Sequence, residues 1–412
     1  MSAPSCTPTL SGLKSYEAAL ALLLSHAEPV GQTERVPLGT ALGRVLAEPV
    51  SSLIDVPGWD YSAMDGYAVR AADVPAPGTA LPISQRIPAG SSPQRLAPGS
   101  AARIFTGAPI PAGCDTVVIQ EVCEGDGQTV TINAEVAADQ NIRRRGEDIA
   151  SGAEIIAVGT KLAPQHLGLA ASVGVAELTV YRRLKVAVFT SGDELLTPGQ
   201  PLAPGKIYNS NLYTATGLLQ ALGCEVIDLG IVEDDLEATV DAMRHASELA
   251  DLVLASGGVS VGEEDHVKPA VERLGSLDMW QIAIRPGKPV AFGRIGNAHF
   301  LGSPGNPVSL FVTFLLFARP FILKRQGVDA VEPLQLQAQA AFDWPRPDKR
   351  REFQRARLWR DADGQTRVSV HPSRSSGVLS SVTWANGLVV IPEGQVIHEG
   401  DMVTFLPFSE SV

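Results

Sequence analysis

Four short segments hold most of the chemistry-bearing side chains in the middle of the chain: Ser191-Gly-Asp-Glu194, Glu233-Asp-Asp235, Ser256-Gly-Gly-Val-Ser-Val-Gly-Glu-Glu-Asp265 and Ser303-Pro-Gly-Asn-Pro307. Each is acidic, glycine-rich or both. Glycine-rich backbone at the start of a helix offers N–H groups to phosphates and other oxyanions. Carboxylates are hard oxygen ligands suited to Mg2+, which usually takes one or two of them together with phosphate oxygens. Together they suggest a Mg2+–phosphate site. Each also has a plainer reading: Asp234 directly precedes a helix and could be its cap, and Ser256-Gly-Gly258 could be a tight turn. Four such segments at one edge favour the site, because clustered acids repel unless a cation sits among them.

Other segments could meet an anionic substrate. Arg285-Pro-Gly-Lys-Pro289 places two cations around a proline-fixed turn, a rigid mount for oxyanion contacts. Asn141-Ile-Arg-Arg-Arg-Gly-Glu-Asp148 sets three cations beside two acids; here Arg144 and Arg145 read best as solvated surface. Pro57 to Arg70 combines aromatics, two acids and a glycine turn. No Gly-x-x-x-x-Gly-Lys-Ser/Thr, no Gly-x-Gly-x-x-Gly after a strand and no His-Glu-x-x-His occurs, so any nucleotide or metal is held by other means.

The elements that must position these residues follow from periodicity. Ser15 to Ala27 has leucine and alanine at helical spacing. From about Ser51 to Glu147 short apolar runs alternate with proline and glycine, a β-rich texture. Helical patterning returns at Ala163 to Val173, so the β-rich block reads as an insertion between two helical pieces that pack together. From Leu184 strands alternate with helices: strands at Lys185–Phe189, Glu225–Leu229 and Asp251–Ala255, helices at Asn209–Leu222, Leu236–Ala250 and Pro307–Lys324. That rhythm predicts a parallel sheet with right-handed crossovers, whose ligands bind outside the carboxyl ends of the strands, where the four segments fall. Beyond about Val328, short alternating runs predict a small closed β-domain.

The 412 residues suggest about three domains. Acids outnumber bases 45 to 33, for a net charge of −12, which argues against a nucleic-acid or acidic-membrane binder. The four cysteines form no Cys-x-x-Cys pair and fit reduced thiols in a cytoplasmic protein. The N-terminus lacks a signal-peptide pattern. The longest apolar run, Val308 to Ala318, falls short of the ~20 residues of a spanning helix.

Seven segments in order resemble the molybdopterin molybdenumtransferase family (MoeA, and the E domain of gephyrin): Asp60 to Arg70, Phe105-Thr-Gly-Ala-Pro109, Asn141 to Asp148, Ser191 to Glu194, Ser256 to Asp265, Arg285 to Pro289 and Ser303 to Pro307. The resemblance spans nearly the whole chain. It implies a multidomain α/β fold: a helical dimerisation domain (1–50 and 149–183), a β-rich insertion (51–148), a three-layer α/β/α parallel-sheet domain (184–327) and a C-terminal β-barrel (328–412). It implies Mg2+-dependent insertion of molybdate into adenylylated molybdopterin: the phosphoanhydride is cleaved, AMP leaves, and the dithiolene sulfurs displace oxygens on molybdenum. It implies a homodimer whose site lies between the α/β domain of one subunit and the insertion of the other, with a molybdopterin adenylyltransferase and downstream cofactor-handling proteins as partners. By motif position, Glu194, Asp234 and Asp265 go to the metal or phosphate end; Asp65, Thr106 and Asp148 to catalysis; and Ser256, Gly257, Gly258, Arg143, Arg285, Lys288 and Ser309 to substrate contacts, with Pro304 and Pro307 shaping the loop. Gln281 departs from the pattern, since some relatives carry lysine there. A shorter relative, molybdopterin adenylyltransferase, is similar to residues 184–327 but usually shows Gly-Gly-Thr-Gly where this chain reads Gly257-Gly-Val-Ser260. A scaffolding role of the gephyrin kind is a third reading, against which the retained acids argue.

Overall fold

The computed structural model describes residues 13–258 and 266–410, so Asp265 lies outside the described residues. Helix α1 (Tyr16–Ser25) starts at Ser15, whose hydroxyl accepts the Ala18 N–H. Its buried Ala19 and Leu23 share a core with Phe317 and Phe321, and Tyr16 packs on Phe317 and Phe353. Helix α2 (Pro164–Ser172) instead joins a separate core of Val36, Leu46, Ile156 and Val180. The two helical pieces therefore do not pack together as expected. The physical reason is that α1 is apolar on several sides, with Leu20, Leu22 and Leu24 also packed on the larger core. The unit around α2 is closed instead by strands, chiefly Thr33–Pro37 against Glu177–Tyr181.

The insertion is a six-stranded sheet, in the order Thr116–Ile119, Gly66–Val69, Ala101–Ile104, Thr79–Ile87, Thr129–Ile132, Cys123–Gly125. The pairs Val50–Ser51 with Glu154–Ile156, and Tyr61–Ser62 with Ile142–Arg143, bind its root.

The central sheet runs Glu225–Val232, Lys185–Ser191, Leu252–Ser256, Ala298–Ser303, Pro289–Ile295, Gly275–Gln281. The first four strands are parallel, and an antiparallel pair extends the far edge. Alternate residues face opposite layers. Val186, Val188, Leu252 and Leu254 meet the layer holding helix α3 (Ser210–Ala221). Ala187, Phe189, Val253 and Ala255 meet helices α4 (Leu236–Leu249) and α5 (Val267–Leu274). Burial on both faces explains the near-continuous apolar strands. Helices α6 (Pro307–Thr313) and α7 (Arg319–Arg325) join through a π turn, Phe314–Ala318. The resulting rod, Pro307–Arg325, is long and apolar enough to cross a membrane by length and composition, but its apolar stretch is 78% buried inside the protein.

The C-terminal strands Arg351–Arg360, Thr366–Val370, Leu336–Ala340, Met402–Pro407 and Gly387–Ile391 close on themselves, the last pairing back with the first. Closure leaves this barrel no free edge. A short strand of the α/β domain, Ile284–Arg285, pairs in parallel with Arg351–Glu352 and joins the barrel to the Arg285 turn.

Candidate active site

The chain leaves strand Lys185–Ser191 for Glu225–Val232 on one side, then crosses to Leu252–Ser256 on the other. Such a reversal opens a crevice at the carboxyl ends of the two middle strands. A cleft of ≈ 1270 Å³ lies there. It gathers Glu194, Asp234, Ser256, Gly257 and Gly258 from the strand ends, Pro304, Pro307 and Ser309 from the entry to α6, and Arg285 and Lys288 from the proline turn.

Asp235, not Asp234, caps α4: its carboxylate accepts the Glu237 and Ala238 N–H groups at 2.9 and 3.0 Å. Those bonds, that of Ala238 foremost, hold it below the usual carboxylate range. Asp234 is thereby free to line the cleft, where it accepts the Ser191 hydroxyl at 3.3 Å. The capping alternative for Asp234 is thus set aside.

Ser256 lines the cleft and is held on both sides. Its one hydroxyl proton goes to Pro304 O at 3.2 Å, and its oxygen accepts Asn211 Nδ2 at 3.0 Å. Its hydroxyl is thus engaged in tying two loops at the cleft. Asn211 gives its second N–H to Gly305 O at 2.7 Å and completes the tie. Gly257 is required here: at φ +96° a Cβ would stand 2.2 Å from Ser191 O.

The barrel supplies residues that sequence reasoning missed: Arg350, Arg374, Ser375 and Ser376 also line the cleft. Nothing in their neighbourhood is glycine-rich or acidic in the manner of the strand ends, and only tertiary pairing brings them in. The Val308 N–H donates to Ser376 O at 3.0 Å, seating the barrel loop on the start of α6. Asp348 bridges Arg285 and Arg350, at 3.1 and 3.0 Å. Burial opposes its ionisation, but the hydrogen bonds from Arg350 prevail and its pKa falls to about 2. Arg285 and Arg350 are therefore both partly neutralised by Asp348, and Arg374 is paired with Glu352 at 2.8 Å, whereas Lys288 has no ion-pair partner among the described residues. Gln281 pairs with Pro289 on its strand and does not line the cleft.

Asp65, Thr106, Arg143 and Asp148 do not line the cleft of their own chain. Three segments do meet at the root of the insertion, however. Asp65 Oδ1 accepts both the N–H and the hydroxyl of Thr106 at 2.7 Å. Those two bonds, that of the Thr106 N–H foremost, hold the Asp65 carboxyl below the usual carboxylate range. Arg143 pairs with Glu147 at 2.7 Å, and the exposed Asp148 donates its backbone N–H to Val56 O. Arg144 and Arg145 are exposed, as expected of solvated surface, and are also paired: Arg144 with Asp60 at 2.5 Å and Arg145 with Asp55 at 2.6 Å. They pin the 141–148 segment to the Asp55–Asp60 turn.

No three His, Cys, Asp or Glu groups converge on a possible metal among the described residues. Glu194 and Asp234 are two hard carboxylate donors lining the same cleft, the donor type that fits Mg2+ completed by substrate oxygens and water.

Residues 14–174 match the MoeA N-terminal region (domain I and II), residues 187–324 a probable molybdopterin-binding domain, and residues 337–408 the MoeA C-terminal region (domain IV). The chain is 42% identical over 382 residues to the molybdopterin molybdenumtransferase of Haemophilus influenzae, covering 92% of this chain and 94% of that one. It is 37% identical to the molybdopterin molybdenumtransferase of Nostoc sp., covering 88% of this chain and 86% of that one. Among solved structures, the molybdopterin biosynthesis moeA protein of Pyrococcus horikoshii superposes with a TM-score of 0.83 at 30% identity, covering 96% of this chain and 100% of that one.

Proposed function

The chain belongs to the molybdopterin molybdenumtransferase family and is a transferase of molybdenum cofactor biosynthesis, and on that premise we propose that it inserts molybdate into adenylylated molybdopterin in a Mg2+-dependent reaction that releases AMP. The observation that carries this reading is the meeting, in one cleft, of the strand-end carboxylates Glu194 and Asp234 with the cations Lys288, Arg350 and Arg374. The carboxylates would hold Mg2+, with Asp265 as a further candidate; when bound, the ion offsets charge on the phosphoanhydride. Lys288 and the barrel arginines, with the hydroxyls of Ser309, Ser375 and Ser376, give charge-assisted and neutral donors to molybdate oxygens. The proline-bounded Ser303–Pro307 loop, tied by Asn211 and Ser256, shapes the floor between them.

We extend the proposal to a homodimer. Leu53 is 88% and Trp59 60% exposed, and Ile54 and Met64 are exposed beside them, close in sequence to Asp65. Four large exposed apolar side chains within a dozen residues of sequence fit an interaction surface. A second copy covering it would bring Asp65, Thr106, Arg143 and Asp148 to the partner's cleft, Asp65 acting as an ionised carboxylate. The substrate would arrive from a molybdopterin adenylyltransferase and the product leave to cofactor-handling proteins, in the cytoplasm. The three described cysteines are free thiols, in keeping with that compartment.

The test is direct. Purified protein is incubated with molybdopterin-AMP, Mg2+ and molybdate, and AMP is quantified. Molybdate-dependent AMP release that is abolished by chelating Mg2+ is expected; AMP release indifferent to molybdate overturns the reading.

A further inference from the structure

Glu352 is a carboxylate with 0% exposure on barrel strand Arg351–Arg360, and its backbone is the register partner of Arg285. A buried charge is tolerated only when paired and hydrogen-bonded, and a well-packed apolar residue often serves stability equally well. Glu352 is fully engaged. Its Oε1 accepts Trp344 Nε1 at 3.1 Å, the Asp348 N–H at 3.2 Å and Arg374 Nη2 at 3.0 Å. Its Oε2 accepts Gln354 Nε2 and Arg374 Nη2, both at 2.8 Å.

Three of these four donors lead to the cleft wall. Asp348 grips Arg285 and Arg350. Arg374 lines the cleft itself, its guanidinium stacked 4.2 Å over the Trp344 ring. Gln354 passes the network on: its Oε1 accepts Arg355 Nη1 at 3.0 Å, and the buried Arg355 donates to Ser373 O at 2.6 Å and Ser375 O at 3.3 Å. The loop so held carries Ser375 and Ser376 into the cleft.

We propose that Glu352 is the positioning residue of the cleft's cationic wall: it touches no substrate, and through Asp348, Arg374 and Arg355 it sets where Arg350, Arg374, Ser375 and Ser376 stand in the cleft they share with Lys288 and Ser309. This rests on the reading that the wall receives molybdate. A fixed donor array binds a tetrahedral oxyanion only if its members keep their spacing. The Glu352 carboxylate is held by four neighbours, which stiffens its end of the network, while the buried Arg374 Nε has no hydrogen-bond partner among the described residues.

The experiment uses the full chain and the isosteric Glu352→Gln, which keeps acceptor capacity for Trp344 and Asp348 but removes the charge that holds Arg374. Molybdate is titrated calorimetrically, and steady-state rates are measured with molybdate and molybdopterin-AMP varied separately. The Kd and KM for molybdate should rise at least ~10-fold, with kcat at saturating molybdate and the KM for molybdopterin-AMP held within about threefold. Should this variant not fold, Glu352→Asp, which keeps the buried charge but draws the carboxylate back from Arg374, takes its place with the same expected split. An unchanged molybdate Kd in the folded variant overturns the proposal, as does a parallel rise in both KM values, the mark of a merely structural role. A wild-type chain that binds molybdopterin-AMP but not molybdate overturns the functional reading and this inference with it.

Discussion

Adjacent residues of one chemical type can carry unrelated duties, and Asp234 and Asp235 show how. The neighbours differ by one position along a strand-to-helix turn, so one carboxylate folds back onto the α4 N–H groups while the other faces the cleft. Asp235→Ala should unfold at lower denaturant than wild type, through the lost cap, with kcat unchanged. Asp234→Ala should stay within ~0.5 kcal/mol of wild-type stability yet lose at least ~10-fold in turnover. Sequence could place both acids at the strand end but could not assign the cap, because that depends on which backbone dihedrals the turn adopts. Asp348 makes a pH-dependent prediction. Its folded pKa of about 2 lies below its ordinary 3.8, so its contribution to stability is complete above about 3.8 and is lost as pH falls toward about 2. Asp348→Asn should therefore be less stable than wild type at pH 7, with the gap narrowing as pH is lowered from about 4 to about 2; a gap constant across that window contradicts the ion-pair account.

At the scale of elements, the site depends on loops that touch one another closely enough to exclude a methyl group. Gly257→Ala would set a Cβ 2.2 Å from Ser191 O at a positive φ. It should destabilise the protein by at least about 1–3 kcal/mol and impair turnover together, as read by thermal melts and AMP release. The strand–helix rhythm of residues 184–327 was legible because both faces of the sheet are covered, so its strands are unbroken apolar runs bounded by glycine and acid. The partner of α1 was not legible. Periodicity says that Ala19 and Leu23 are buried, but not that Phe317 and Phe353, some 300 residues on, bury them.

In the whole molecule, Asp65 and Asp148 stand apart from their own cleft. A site shared across a homodimer predicts that Asp65→Asn and Asp234→Asn are each nearly inactive, and that mixing them under conditions of subunit exchange restores activity. Half of the dimers formed at random are mixed, and one of the two sites in each is intact, so about a quarter of wild-type activity should return. No recovery, despite exchange verified by mass spectrometry, contradicts the shared site. Sedimentation of the wild type as a dimer is expected alongside.

The sequence by itself determined the class of chemistry. Glycine, proline and carboxylate are irreplaceable where backbone must turn sharply and hard oxygen ligands must stand, so Glu194, Asp234, Gly257, Gly258, Lys288, Pro304 and Pro307 were visible as types at spacings. The tertiary structure decided which of them are free to act. Asp235 took the cap from Asp234, Ser256 was bound into a loop tie, Arg285 was half neutralised by Asp348, and Arg144 and Arg145 were paired. It also brought in the barrel's Arg350 and Arg374, which no local pattern marks. The physical reason is common to all of these. A side chain's type is written at its own position, but whether its protons and charge remain available depends on partners that the chain supplies from tens to hundreds of residues away.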